Sequence, residues 1–441
     1  MAAFHTHACI LSSGDEIITG QLLDTNSRFL AEQLTSIGIS VAEFAAVPDE
    51  LDQLVEAILR LGTKAPLLIM SGGLGPTEGD LTRHALAKVM GQDLVTDETV
   101  LTKLSAWLES RGRDLNPRQA RQALRPVGAE CLDNTVGTAA GLCAQLRGTG
   151  IYMGPSCDVF CLPGPPSELG AMWTQQVVPR LRVPPGRVVA TRLLHLVGIP
   201  EADLVTRLGT LMSRDRMPLV GVTASQGMLT LRMRCLGQAG GREATELLDA
   251  DEHTICAMIG DHLVGKGERS LVHCVLDELV AARETLATVE SCTGGLLTAL
   301  VTAVPGSSAA FAGGLVTYSN ELKTKLAGVD ASLITRCGAV SSEVASAMAT
   351  GGKERLGANH CIAITGVAGP DGGSEHKPVG TVYIAHACNG KDGGHLVDVR
   401  RFAFTGTRED IRQRAARTGL SMVHFQLIGR RAGEPKLLWQ I

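Results

Sequence analysis

Three times along the chain an apolar, β-prone run ends on a small-residue or glycine-rich turn that opens toward a helix-patterned segment. The first, Ala8-Cys9-Ile10-Leu11, ends at Ser12-Ser13-Gly14-Asp15-Glu16, and a polar connection at Thr25-Asn26 leads into an amphipathic stretch from Ser27 to Gly38. The second, Ala65 to Met70, follows a helical pattern at Leu51 to Leu61 and opens into Ser71-Gly72-Gly73-Leu74-Gly75-Pro76-Thr77-Glu78-Gly79-Asp80-Leu81-Thr82. The third, Thr285 to Val289, opens into Glu290-Ser291-Cys292-Thr293-Gly294-Gly295 and then Leu296 to Val301. Strand, turn and helix in that order predict α/β layers, and loops at strand ends of such layers are where ligands bind. A single core rarely grows past about 250–300 residues, so the 441 residues predict two to four domains.

The third turn carries the most chemistry. It puts Ser291 where a strand gives way to a helix N-terminus, a place that offers backbone N–H donors to an oxyanion or a phosphate. About thirty residues on, Tyr318-Ser319-Asn320-Glu321-Leu322-Lys323 supplies a lysine. A serine hydroxyl attacks only when a base takes its proton, and a lysine does that only if desolvation lowers its pKa. The pairing therefore predicts amide chemistry and a partly buried Lys323. Taken alone, such a turn is most often an ordinary loop, and a lysine on a polar helix face is usually solvated. Cys292 is a second candidate nucleophile, because a thiol at a helix N-terminus can have a lowered pKa. Nearby loops are Pro305-Gly306-Ser307-Ser308, the Thr365-Gly366-Val367-Ala368-Gly369-Pro370-Asp371 stretch after a strand at Ile362 to Ile364, and Lys377 to Thr381 before a strand at Val382 to Ala385.

In the second turn, Gly72, Gly73 and Gly75 allow close backbone approach to a phosphate, and Asp80 could hold a divalent cation against it. Between the outer segments, strand-like runs at Val188 to Ala190 and Leu193 to Leu196, a helix at Pro200 to Leu211, alternation from Met228 to Cys235 and a helix from Glu243 to Ile259 predict a small α+β module. Gly237-Gln238-Ala239-Gly240 matches a GxxG pattern but directly follows a strand, so it reads as a strand-to-helix turn and not as a nucleic-acid clamp. Gly265-Lys266-Gly267 reads as a flexible boundary before a helix at Leu271 to Ala282.

The formal charge of −4 leaves no basic surplus for a nucleic-acid backbone, and 3% aromatic content argues against base-stacking platforms. Twelve scattered cysteines, with no signal peptide and no 18-residue apolar run, predict free thiols, a cytoplasmic location and no membrane partner. Cys157 and Cys161 are separated by three residues and have no partner pair at zinc-binding spacing.

Residues about 270 to 430 resemble the C-terminal domain of the CinA family, the nicotinamide mononucleotide (NMN) deamidase module, through the Glu290–Gly295 turn, the Tyr318–Lys323 segment and the Thr365–Gly369 loop in that order. The resemblance implies that Ser291 is the nucleophile on the nicotinamide carboxamide, Lys323 its general base and Tyr318 a neighbour orienting substrate or lysine, with no cofactor. It implies further substrate contacts at Thr293, Gly294, Gly295, Ser308, Thr365, Gly366 and Gly369, and a phosphate ligand in Arg408 of the Phe404-Thr405-Gly406-Thr407-Arg408 segment. The front of the chain resembles the family's molybdopterin-binding-like domain through the second turn and through Asn116, Gln122, Ala123, Pro126, Asn134, Gly137-Thr138-Ala139 and Leu162 to Glu168. That domain is associated with a metal-dependent ADP-ribose pyrophosphatase. By the analogy Gly72, Gly73, Gly75 and Thr77 contact substrate, and Asp15, Asp80 and Glu168 hold magnesium, manganese or cobalt. The chain departs from the family's pattern at Gly79, His84 and Ala140, and two potential carboxylates are missing there, which predicts a weakened or absent pyrophosphatase. An acidic residue is likewise replaced by Thr407.

The resemblance thus implies a multidomain α/β chain: a three-layer α/β N-terminal domain over 1–174, a KH-like α+β domain over 175–264 and an α/β amidohydrolase domain over 265–441, forming a homodimer. Three functions compete: NMN amidohydrolysis with a second pyrophosphatase domain, molybdopterin handling or nucleotidyl transfer, and a non-catalytic role in competence or recombination. Intact Ser291 and Lys323 favour the first.

Overall fold

A computed structural model describes residues 4–184, 188–237, 242–390 and 394–441. The chain forms two compact units, Met1–Ala190 with Leu236–Ala244, and Thr191–Cys235 with Thr245–Ile441.

In the first unit a six-stranded sheet runs in the order Ser40–Val47, His7–Ser13, Leu67–Ser71, Cys157–Leu162, Gly141–Leu146, Glu130–Leu132. The first four strands are parallel and the last two antiparallel. The central strands are buried on both faces, which explains their unbroken apolar runs. Cys9, Leu11, Leu68 and Met70 pack with Leu54, Ile58, Leu61 and Leu86 on one side. Ala8, Ile10 and Ile69 pack with Leu30, Leu34 and Trp173 on the other. This is the expected three-layer arrangement. The helix read as starting at Ser27 instead spans Thr25–Ser36, because the Asp24 carboxylate accepts the Ser27 N–H and caps it two residues earlier.

The second unit holds two sheets. The smaller has the order Leu219–Ser225, Met228–Gly237, Val188–Val197, Leu263–Lys266. Three readings are corrected here. Val188–Val197 is one continuous strand. Leu219–Ser225, absent from the sequence reading, forms a hairpin with Met228–Gly237. The boundary at Gly265-Lys266-Gly267 is not flexible but paired sheet, with Gly265 opposite His195 and the His195 imidazole bridging the Thr230 hydroxyl and the Gly267 carbonyl. The Gln238-Ala239-Gly240 part of the GxxG pattern lies outside the described residues.

The larger sheet runs Phe311–Val316, Leu286–Glu290, His360–Gly366, Thr381–Asn389, His395–Ala403, parallel across the first three strands and antiparallel across the rest. Leu286, Ile362, Ile364, Val382 and Ile384 face the helices Leu271–Ala282 and Arg408–Leu427. Ala287, Val289, Cys361, Ala363, Ala385 and Ala387 face the helix Ser342–Leu356. The small residues on that second face let the helix sit close: a Cβ on Gly352 would lie 2.2 Å from Val289. No helix among the described residues is long and apolar enough to cross a membrane, and among them no cysteine forms a disulfide.

Candidate active site

Ser291 follows the last residue of the central parallel strand Leu286–Glu290, and its own N–H is tied to the Ile364 carbonyl of the neighbouring strand. Gly294 and Gly295 then turn the chain with φ of +59° and +93°, a region that side-chain-bearing residues seldom adopt, and the helix Leu296–Thr302 begins. Lys323 comes from the helix Asn320–Ala327, whose start is fixed by the Ser319 hydroxyl accepting the Leu322 N–H.

The two meet. Lys323 Nζ lies 2.9 Å from Ser291 Oγ, 2.9 Å from the Thr317 carbonyl and 3.4 Å from the Tyr318 carbonyl. Lys323 is only 2% exposed, and burial lowers its pKa from the ordinary 10.5, with the Cys292 thiol pulling weakly the other way. The amine loses its proton more readily than a solvated lysine. Its two carbonyl contacts then occupy the two N–H bonds of a neutral amine and leave the lone pair for the Ser291 hydroxyl. Cys292 is different from the sequence expectation: burial pushes its thiol up to about 12, outweighing Lys323, so it stays protonated and is a poor nucleophile.

Glu290, quoted in the motif but given no role, builds the turn. Fully buried, its carboxylate accepts the N–H groups of Gly295, Leu297 and Thr298 and the Thr298 hydroxyl. The helix N-terminus expected to serve an oxyanion or phosphate is therefore largely spent on Glu290. The Gly294 N–H goes to the Ser291 carbonyl. Arg412 was likewise missed, having read as part of a charged run; its guanidinium donates twice to the Thr293 carbonyl.

Of the other site candidates, Tyr318 is 60% exposed, and only its backbone carbonyl reaches Lys323. Its hydroxyl instead accepts from Arg408, which also donates to the Gly369 carbonyl. Tyr318, Arg408 and Gly369 thus form one connected rim. Thr407 caps the helix that Arg408 begins, in a reciprocal pair with Asp410, which accounts for its side chain. Thr365 and Gly366 belong to the strand His360–Gly366 and not to the loop after it, and the buried Thr365 hydroxyl donates to the Ala339 carbonyl. Thr293 is fully buried, its hydroxyl without a partner among the described residues. Ser308 sits in the single turn Ser307–Ala309 before the strand Phe311–Val316, at the opposite end of the sheet from Ser291 in this chain.

The second strand-end cluster lies in the first unit, around a cavity of about 950 Å³ lined by Gly72, Gly73, Gly75, Thr77, Asp80 and Glu168. Gly72 and Gly73 have φ of +98° and +66°, and a Cβ on Gly72 would meet the Ser13 carbonyl at 2.4 Å. The Asp80 carboxylate accepts the Gly75 and Thr77 N–H groups and the Thr77 hydroxyl, closing its own loop. Glu168 accepts from Asn134, and Asp15 from the Asp49 N–H. Asp15, Asp80 and Glu168 form no cluster with their oxygens within ligand distance of one another. With Asp80 saturated by its own loop, these carboxylates do not fit a ready-made cation cage. Asp49, which sequence reading passed over, lines the same cavity, and burial raises its pKa, with Asp15 and Glu16 adding to the shift. His84 is a half-buried ring whose pKa is lowered by burial and by Arg121 and Arg83.

Known proteins repeat this organisation. Residues 268–427 match the CinA C-terminal domain, 191–265 the damage-inducible protein CinA KH domain and 9–183 the probable molybdopterin binding domain. A competence-damage inducible protein of Moorella thermoacetica is 41% identical over 93% of this chain and 96% of its own length. The chain belongs to the CinA family. A CinA-like protein of a Synechococcus species is 40% identical over 95% of this chain and 98% of its own. The crystal structure of a CinA protein of unknown function from Thermoplasma acidophilum is 34% identical, covers 38% of this chain and 94% of its own, and has a TM-score of 0.35. The CinA C-terminal match contains Ser291, Lys323, Tyr318, Glu290 and Arg412.

Proposed function

We propose that this CinA-family chain is an amide hydrolase that converts NMN to nicotinic acid mononucleotide and ammonia. The observation that carries the reading is the buried Lys323 Nζ at 2.9 Å from Ser291 Oγ. Neutral Lys323 takes the hydroxyl proton as Ser291 attacks the carboxamide carbon. Backbone N–H groups of the turn after Ser291 are the candidate donors to the oxyanion. Lys323 then gives its proton to the leaving nitrogen, ammonia departs, and an acyl ester remains on Ser291. Water, deprotonated by Lys323, attacks the ester, releasing the carboxylate product and restoring the hydroxyl. Arg408, at the rim with Tyr318, is suited by its planar fork to the nucleotide phosphate.

This mechanism has a pH signature. Protonated Lys323 cannot act as base, so kcat/KM for NMN rises with pH as that proton leaves. Burial puts the rise below the ordinary lysine value of 10.5. A pH profile of kcat/KM measures it; a rise appearing only at an unshifted lysine pKa contradicts the assignment.

For the first unit, the cavity at Gly72 and Asp80 suits a phosphate-bearing nucleotide, and ADP-ribose pyrophosphatase activity is proposed to be weak or absent. The reason is the saturated Asp80 together with Gly79 and His84 in place of carboxylates. A saturating ADP-ribose assay with magnesium, manganese or cobalt is expected to give little turnover, and robust turnover with any of the three overturns the proposal.

A further inference from the structure

At the end of the larger sheet remote from Ser291, three ligating side chains face one another. His360 begins the strand His360–Gly366, Cys388 stands directly across from it on Thr381–Asn389, and His386 lies two residues earlier on the same face of that strand. All three are buried, and each brings a ligand atom within 4.8 Å of the others. His360 Nδ1 is 3.0 Å from His386 Nε2, and the rings stack at 5.2 Å and 11°.

The surroundings prepare these groups for a metal. His360 Nε2 lies 2.7 Å from the Glu284 carboxylate. An N–H donated there fixes the tautomer and leaves the Nδ1 lone pair aimed at His386, the carboxylate–histidine arrangement of metal ligands. The Arg400 charge is already engaged by Asp398 at 2.7 Å. Glu284 is 36% exposed, which opens one side of the cluster to solvent.

We propose that His360, His386 and Cys388 bind a borderline or soft transition-metal ion, zinc by preference, with Glu284 orienting His360. Two metal–nitrogen bonds and one metal–sulfur bond form, a water from the solvent-open side takes the fourth position, the Cys388 S–H bond breaks and its proton passes to solvent, and each imidazole keeps one N–H. Zinc–nitrogen distances of about 2.0–2.1 Å at tetrahedral angles separate the two nitrogens by about 3.3–3.4 Å. The imidazoles therefore part by a few tenths of an ångström on binding. A nitrogen and thiolate set selects zinc or cobalt over magnesium or calcium. The site lies about 16 Å from Ser291, five residues along the strand direction. Its role is to staple two adjacent strands, independent of the proposed amide chemistry.

The test uses the full chain produced in cobalt-supplemented minimal medium. The expected result is bound cobalt by elemental analysis and a thiolate-to-cobalt charge-transfer band in the near ultraviolet. The band disappears in Cys388→Ser and persists in Cys361→Ser, whose buried thiol faces the other side of the sheet. Glu284→Gln, which leaves all three ligands in place, weakens cobalt affinity about 10–100-fold. Wild type that carries no cobalt, or a band that Cys388→Ser leaves intact, overturns the proposal.

Discussion

Ser291→Ala lowers ammonia release from NMN by about 10³-fold or more, because no other side chain in the turn replaces the nucleophile. Cys292 does not rescue it, since its thiol is buried and held protonated by a pKa of about 12. Lys323→Ala costs about 10²–10⁴-fold, the usual worth of a positioned base. Lys323→Arg is no better, as a guanidinium does not give up its proton. The double variant Ser291→Ala/Lys323→Ala is expected to lose little beyond the single serine variant, because the two act as one unit. Steady-state kinetics on the four proteins measure this. Multiplicative losses, or a Lys323→Ala enzyme within about tenfold of wild type, would mean that the 2.9 Å contact is structural.

The second large effect is on stability. Glu290 accepts three backbone N–H groups and the Thr298 hydroxyl while fully buried, and both oxygens are committed. Glu290→Ala leaves those donors without partners in a water-poor site, where each orphaned group costs about 1–3 kcal/mol. Some relax toward solvent, so a net loss of about 3 kcal/mol is expected, read as a fall of roughly 6–12 °C in the unfolding transition of the C-terminal region. Glu290→Gln restores part of it, since its amide oxygen still accepts while its NH₂ opposes the remaining N–H groups. Activity falls in both variants, about 10²-fold in Glu290→Ala, because the next residue is Ser291 and a displacement of about 1 Å is enough. Calorimetry with parallel NMN kinetics measures both. An alanine variant with unchanged melting and unchanged kcat would remove Glu290 from the account.

The α/β layering was legible because the central strands are buried on both faces and read as continuous apolar runs ending at small residues, as at Ile10 and Ile69. Ser291 and Lys323 were legible for a related reason: each stands next to a strand end or helix start marked by turn residues. Glu290 stood inside the same motif, yet its role depends on where the N–H groups of Leu297 and Thr298 point, which spacing does not reveal. The Gly265 segment does part the two matched domains, but it read as flexible because glycine punctuates, whereas its pairing with the distant Val188–Val197 strand is a tertiary effect. Arg412 read as solvated among neighbouring charges, although helix geometry turns it onto the Thr293 carbonyl. The same limit hid His360, His386 and Cys388. No local metal motif joins residues brought together by strand register.

Ammonia release from NMN by the purified full chain, with nicotinic acid mononucleotide quantified in the same reaction, tests the central claim most directly. The account predicts both products in equal amounts and their loss in Ser291→Ala. A wild-type chain that folds, keeps the Ser291–Lys323 contact and releases no ammonia would contradict it.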